Sequence, residues 1–353
     1  MTRSFYQPIA SNLITSEPQW IPNEHERIAS FQVITDTHLT ADPKHLYNQH
    51  LELAFNDISK LAQDSLGIMH AGDVTDHGLP AEYAELQRIR SLYGEHLPAM
   101  YSTSGNHDVG DLGWKEEMEE LEGLVSLQGQ ALPELWGQYR QEAAGLYQMP
   151  SVTEVAEPVH QLWLHRLGSF NEATATEGAY YQKRLGGYVF IFLGTERPLA
   201  KDCHLSAMQL EWLQQRLQAA VTASPGKPIF VFLHQPLMNT VAGSLEQQGW
   251  YGVEQDHELK QLLLEYPQVM LFSGHTHWQL SSPHTMHQSA AGPVMFNAAS
   301  VAYLWTDEDE YLEGSQGYYV DIYPAHIVVR GRDFAAGRWL EEAVWTFAYG
   351  DTK

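Results

Sequence analysis

From Phe31 onward, short apolar runs alternate with segments whose apolar residues recur at helical spacing. Phe31 to Thr35 reads as a strand, Leu51, Ala54, Phe55, Ile58 and Leu61 fall on one helix face, and Leu66 to Met69 reads as the next strand. This β-α-β rhythm repeats: Pro80 opens a helix that runs through Tyr93, and Leu97 to Thr103 supplies another strand. Between about 111 and 180 the rhythm lapses. There an acidic cluster (Glu116, Glu117, Glu119, Glu120, Glu122), read as a solvated helix face, and a stretch holding Trp136, Tyr139, Leu146 and Tyr147 predict a helical insertion. Alternation resumes with a strand at Gly187 to Leu193. The helix that follows carries a capping-box pattern, Ser206 with Gln209, and an inner face of Leu210, Leu213 and Leu217. Pro228 to Leu233 is a strand, Glu258 to Tyr266 a helix and Gln268 to Phe272 a strand. Beyond it lie β-rich segments at Val294 to Phe296, Tyr318 to Tyr323 and His326 to Val329.

No fixed-period repeat or Gly/Ser linker interrupts this order, so a single layered α/β domain with an insertion is the economical organisation. Residues 1–30, with Pro8, Pro18 and Pro22 and no periodicity, read as an irregular surface extension. The domain then occupies 31–353, with the insertion at about 111–180 and strands of a second sheet at about 293–349.

Composition narrows the partners. Among 353 residues, 20 Lys+Arg face 44 Asp+Glu, a net charge of −24 that disfavours an extended nucleic-acid backbone or an anionic membrane surface. A small anion is still admissible if metal ions supply local positive charge. Cys203 is the lone cysteine and reads as a small packed residue, so no intrachain disulfide calls for an oxidising compartment. The first 30 residues lack a basic start and an apolar core, and the longest apolar stretch, Tyr188 to Leu193, is far short of the roughly 20 residues that span a bilayer. A cytoplasmic location is expected.

Five clusters carry the chemistry: Asp36-Thr37-His38, Gly72-Asp73, Gly105-Asn106-His107-Asp108, His234, and Gly274-His275-Thr276-His277. Each follows an apolar strand candidate, and loops after the carboxyl ends of strands are where open α/β sheets gather ligands. A lone Asp-x-His or Gly-Asp is ordinarily structural, but no structural requirement places an acid or histidine after every successive strand. Carboxylate, amide and imidazole donors without thiolates suit manganese, iron or zinc. Seven such side chains exceed the needs of one ion. With Asp73 shared they divide into two sets, and a metal pair suits in-line displacement at phosphorus.

In order and residue type, these motifs resemble the calcineurin-like metallophosphoesterase superfamily, over the span from 36 to 277. The stretches Gly72-Asp73-Val74-Thr75-Asp76-His77-Gly78 and Gly105 to Asp108 are most similar in style to bacterial cyclic-nucleotide phosphodiesterases. The resemblance implies a four-layer α/β/β/α sandwich of two mixed sheets flanked by helices. It also implies a phosphodiesterase or phosphomonoesterase in which a hydroxide bridging two divalent or trivalent ions, manganese or iron before zinc, attacks a small phosphate ester. Asp36, His38, Asp73 and His277 would hold one ion, and Asp73, Asn106, His234 and His275 the other. His107 would stabilise the phosphoryl oxygens or protonate the leaving alkoxide, oriented by Asp76, while Asp108 reads as a turn cap.

One departure stands out: relatives often carry His-His-Pro where this chain has His234-Gln235-Pro236, which puts any role of a second histidine in question. His45, His50, His70, His77, His96, His204, His284 and His287 match no ligand position. Trp136, Trp163, Tyr180, Tyr181, Trp250 and Tyr251 read as core aromatics before pocket walls. Two other functions compete. A nuclease of the same superfamily conflicts with the charge and the lack of a basic stripe, and a non-catalytic interaction protein would have lost ligands, whereas none is missing.

Overall fold

The structure, a computed structural model, describes residues 15–16, 23–110, 157–288 and 292–350. Its central strands bear large apolar side chains on both faces because both faces are covered. In the strand Tyr188–Phe192, the rings of Tyr188, Phe190 and Phe192 join one core, while Val189 and Ile191 join another. That alternation, repeated from strand to strand, stacks the molecule into four layers.

Sheet one is built on three parallel strands, β2 (Ala29–Ile34), β3 (Ile68–His70) and β4 (Met100–Ser102). Sheet two orders β5 (Tyr181–Leu185), β6 (Tyr188–Phe192), β7 (Ile229–Phe232), β8 (Val269–Ser273), β10 (Val294–Asn297) and β9 (Met286–Gln288), with β6, β7, β8 and β10 parallel. Between the sheets lies an aromatic core. Phe31 from sheet one packs edge-on against Phe190 and Phe230 of sheet two, with centroids 5.1 and 4.7 Å apart. Outside sheet one, α1 (Leu46–Leu61), α2 (Pro80–Ser91) and α4 (Glu157–Thr174) bury Leu51, Phe55, Leu86 and Phe170. The single turn α3 (Asn106–Val109) lies at the end of β4. Outside sheet two, α5 (Ala207–Ala223) and α6 (Asp256–Leu264) bury Leu213, Leu217, Leu259 and Leu263. The α/β/β/α sandwich of two mixed sheets is therefore the fold.

Local signals explain most boundaries. Pro80 occupies the first turn of α2, and the Ser206 side chain accepts the Gln209 amide at the start of α5. The other half of that capping box is absent, because the Gln209 side chain instead donates to Gly194 O and Glu196. Leu61, placed on the inner face of α1 by its spacing, is 48% exposed. Strand β5 falls where the alternation of the sequence gives no strand. Its signal is the pair Gly186-Gly187, with φ of 57° and 83°, which closes a tight hairpin into β6.

The C-terminal strands do not make a second sheet of their own. Only β10 joins sheet two, whereas β13 (Gln316–Ile322), β14 (His326–Asp333) and β15 (Arg338–Ala348) extend sheet one antiparallel from the free edge of β2. The pairing of Tyr318–Ile322 with Ala29–Val33 of β2 sets this, with Tyr318, Val320 and Ile322 facing the inter-sheet core and Tyr319 joining the core beneath the helices of sheet one. A short pair, β11 (Leu304–Trp305) and β12 (Tyr311–Leu312), stands apart. Within the N-terminal extension, Thr15–Ser16 (β1) is not irregular but pairs with β15. The acidic cluster and the aromatic stretch of the predicted insertion lie outside the described residues. Among the described residues, no helix is long and apolar enough to cross a membrane.

Candidate metal centre

All five motif clusters sit at the carboxyl ends of parallel strands: Asp36 and His38 after β2, Asp73 after β3, Asn106 after β4, His234 after β7, and His275 and His277 after β8. The two sheets present these ends on the same side, so four donors from sheet one face three from sheet two. Tight turning is needed to aim them. Asp36, His38, Asp73, His275 and His277 all have left-handed backbone, with φ between 42° and 69°, a conformation that costs a non-glycine residue and concentrates at functional sites. Glycines clear the space: a Cβ on Gly72 would overlap the His234 ring, one on Gly105 the Asp73 carboxylate, and one on Gly274 the Thr35 hydroxyl and Asp36 carboxylate.

Asp36, His38 and His277 form one buried group. The Oδ2 of Asp36 accepts the Thr35 hydroxyl at 2.6 Å and the His275 amide at 3.0 Å. Its Oδ1, which shares the His275 amide at 3.2 Å, faces His277 Nε2 at 2.9 Å and His38 Nε2 at 3.7 Å. The His38 ring is fixed by Nδ1 donating to Asp76 Oδ1 at 3.0 Å, so its Nε2 points inward, 3.2 Å from His277 Nε2. Asp73, His234 and His275 form the second group. His234 Nδ1 donates to Ala71 O at 2.9 Å, which aims Nε2 at Asp73 Oδ2, 2.9 Å away. Asp73 Oδ1 accepts the His107 amide at 2.8 Å, and Oδ2 faces both groups, 3.8 Å from His38 Nε2. Asn106 spends its Nδ2 on Ala200 O at 3.0 Å, which leaves Oδ1 as its acceptor, steadied by Gln235 Nε2 at 3.3 Å.

This donor set fits metal ions. Atoms about 2.1 Å from one ion and at right angles to each other lie roughly 3 Å apart, which is the spacing between His38 and His277 and between His234 and Asp73. The buried His275 Nε2 finds no hydrogen-bond partner among the described residues, which is costly unless a cation takes its lone pair, and His234 Nε2 meets only carboxylate oxygens, Asp73 Oδ2 being the nearest. Electrostatics agree. Burial pushes both carboxyls up, yet His277 and His234 draw Asp36 well below the ordinary carboxylate range, and His234 and His107 do the same for Asp73. Against the burial that lowers it, His234 is pushed up to about 9 by Asp73 and Asp36, and His38 is raised by Asp36 and Asp76. At His275 and His277 burial prevails and both are lowered. Without metal, protons on His38 and His234 are the positive charge that the two acids demand.

The neighbours revise several expectations. The carboxylate of Asp76 orients His38, not His107: His107 Nδ1 bonds the backbone oxygen of Asp76 at 2.7 Å, and the carboxylate stands 3.8 Å away. The left-handed turn at His38 brings its ring closer to that carboxylate than the ring of His107. Asp108 does act on a turn, accepting the amides of Val74, Thr75 and Gly105. His70, which matches no ligand position, is buried beneath two of the loops. Its Nδ1 accepts the Gly72 amide at 3.3 Å and its Nε2 lies 3.0 Å from the Thr37 hydroxyl, which itself donates to Val74 O at 2.7 Å. Only the neutral Nε2–H form satisfies all three contacts, and burial lowers this imidazole to about 3. His77 bonds Glu82 at 2.9 Å and lies 3.4 Å from Asp76. The loop after β10 was not singled out by motif, yet Ser300 Oγ donates to Asp36 O at 3.0 Å and Tyr303 packs on His277 at 4.4 Å. Of the aromatic residues, Trp163 and Tyr181 are core, while Trp250 lines the cavity over the donors.

A model of the calcineurin-like phosphoesterase family matches residues 30–279. No curated protein matches the chain. Among solved structures, a purple acid phosphatase from yellow lupin (Lupinus luteus) seeds is similar with a TM-score of 0.54 and 15% identity, over 90% of this chain and 53% of that one. This chain thus spans about half the length of the lupin protein, and the likeness is one of fold. PhoD (TM-score 0.48, 11% identity, 86% of this chain, 65% of that one) and GAP50, the anchor in the inner membrane complex of Plasmodium (TM-score 0.49, 12% identity, 92% and 89%), are too distant to carry argument. Because the family match covers well over half the chain and includes all seven donor residues, this chain belongs to the calcineurin-like phosphoesterase family.

Proposed function

We propose that the protein hydrolyses a small phosphate ester, a diester or a monoester, at two divalent or trivalent ions, manganese or iron with zinc as the alternative. Asp36, His38, Asp73 and His277 hold one ion and Asp73, Asn106, His234 and His275 the other. One observation carries this reading: two buried donor groups converge on a cavity, and a single carboxylate oxygen, Asp73 Oδ2, faces both. When bound, the ions supply Lewis acidity toward water and toward the phosphoryl group.

The chain's own residues do the rest. Asp73 is kept from turning by the His107 amide, so the shared ligand and the backbone of the proton donor move together. His107, anchored through Nδ1 to Asp76 O, lines the cavity and keeps Nε2 as the nitrogen from which it gives a proton to the departing ester oxygen. A cyclic nucleotide is one diester in keeping with the motif style of Gly72 to Gly78. The charge of −24 favours such a small substrate over a nucleic-acid polymer or a membrane, and the lone Cys203 is in keeping with a cytoplasmic setting.

Metal analysis of the purified protein together with turnover of bis(p-nitrophenyl) phosphate in added manganese tests the reading. Asp73→Ala loses metal and turnover together. His107→Ala keeps its metal and loses roughly 100-fold or more in kcat. Full activity in either variant, or a protein that takes up no metal, overturns it.

A further inference from the structure

The cavity over the donors, about 240 Å³, is not symmetric. Beside His277 its wall is the neutral ring of Tyr303. Beside His275 stands Trp250, with centroids 5.9 Å apart, and over the indole sits the ammonium of Lys201, 4.6 Å from the ring centroid. Among the described residues, Lys201 is the one lysine or arginine lining this cavity, in a chain where acids outnumber bases 44 to 20. Its position is built. The backbone oxygen of Lys201 accepts from Gln235 Nε2 at 3.1 Å and that of its neighbour Ala200 from Asn106 Nδ2, while Nζ donates to Gly249 O at 3.1 Å. A lysine flanked by ring and carbonyl has lost much of its rotamer freedom before any ligand arrives, and two of its three N–H donors remain for an anion.

We propose that Lys201, braced on Trp250, contacts the anionic oxygens of the substrate and tunes specificity toward esters carrying two or more negative charges, such as phosphate monoester dianions. This rests on the phosphoesterase reading above and names its substrate class. The logic is Coulombic: one fixed cation attracts a dianion about twice as strongly as a monoanion at the same distance, and among the described residues the wall beside His277 offers no second lysine or arginine. Gln235, which stands where relatives often carry a second histidine, serves here by holding the Lys201 loop against Asn106.

The test uses the manganese-loaded full chain with Lys201→Gln, which keeps a donor for Gly249 O but removes the charge, and Lys201→Arg, which keeps the charge. Inorganic phosphate binding is measured by calorimetry, and KM and kcat are measured for p-nitrophenyl phosphate and bis(p-nitrophenyl) phosphate. Lys201→Gln should weaken phosphate binding roughly tenfold, raise KM more for the monoester than for the diester, and flatten the salt dependence of KM, with Lys201→Arg restoring most of each. Equal phosphate binding by wild type and Lys201→Gln, or equal losses for both esters, overturns the proposal. If phosphate binding responds to Lys201 but neither ester turns over, the anion contact stands and the hydrolase reading falls. If Lys201→Gln fails to fold, unchanged phosphate binding in Trp250→Leu, which removes the brace, also overturns it.

Discussion

His70 shows how much of a site is carried by side chains that touch none of its chemistry. It is locked as the neutral Nε2–H form between Gly72 and Thr37, so it ties the loop bearing Asp36 and His38 to the loop bearing Asp73. His70→Leu leaves the Gly72 amide and the Thr37 hydroxyl short of a partner, and costs about 1–3 kcal/mol of stability. It should also weaken manganese binding although no donor is removed; thermal melting and metal titration read the two effects separately. Unchanged metal affinity would show that the loops hold their shape without the strut. The donors themselves were legible in the sequence because acids and histidines after strands are conspicuous. His70, Lys201 and Tyr303 were not, since their roles depend on contacts between residues tens to hundreds of positions apart, and nothing in a lone histidine, lysine or tyrosine marks such a partner. Asp76 is the instructive case. Its spacing from Asp73 marks it as belonging to the site, but which imidazole its carboxylate reaches is decided by the left-handed turn at His38.

At the level of the element, the loops after β2, β3 and β8 turn too tightly for ordinary backbone, and the fold accepts that strain at five donor positions. The glycines beside them are steric necessities, and Gly274 separates sterics from conformation, since it is not among the glycines with positive φ. A methyl group there meets Thr35 and Asp36. Gly274→Ala should therefore displace the Asp36 carboxylate, destabilise the protein by about 1–3 kcal/mol and reduce bound metal. Retention of wild-type metal content on the purified variant would count against this packing. Strands and helices with strong alternation, such as β6, β7 and α1, could be read from sequence to within a few residues. Strand β5 could not, because only its Gly186-Gly187 turn announces it. The sheet membership of β13 to β15 was hidden for another reason: a strand's alternation tells which residues face a core, not which edge it joins.

Across the whole molecule, the donors divide between the sheets, and each proposed ion takes ligands from both. Metal should therefore stabilise the sandwich, by about 2.7 kcal/mol when free ion is about a hundred times its dissociation constant. The pH dependence has a defined sign. His234 is raised to about 9 from an ordinary value of about 6.5, and His38 moves the same way, so their contribution to the metal-free fold is complete below about pH 6.5 and is lost as pH rises through about 9. The depressed acids Asp36 and Asp73 lose their contribution only at low pH, outside that window. Chelated protein should thus melt at lower temperature as pH climbs from 6.5 to 9, while manganese affinity rises over the same range because the ion displaces those protons. Calorimetry at a series of pH values checks both trends, and an affinity that falls with pH would contradict the charge assignment.

The pairing of His38 with His277 joins positions 239 residues apart, across two sheets that must already be packed. No early fragment of the chain holds the full donor set, so an ion with all its ligands is expected to come in last, as a rivet driven through finished plates. Its expected mark on the kinetics is a slower escape from the native state with little change in the speed of reaching it, which stopped-flow refolding and unfolding with and without manganese would read.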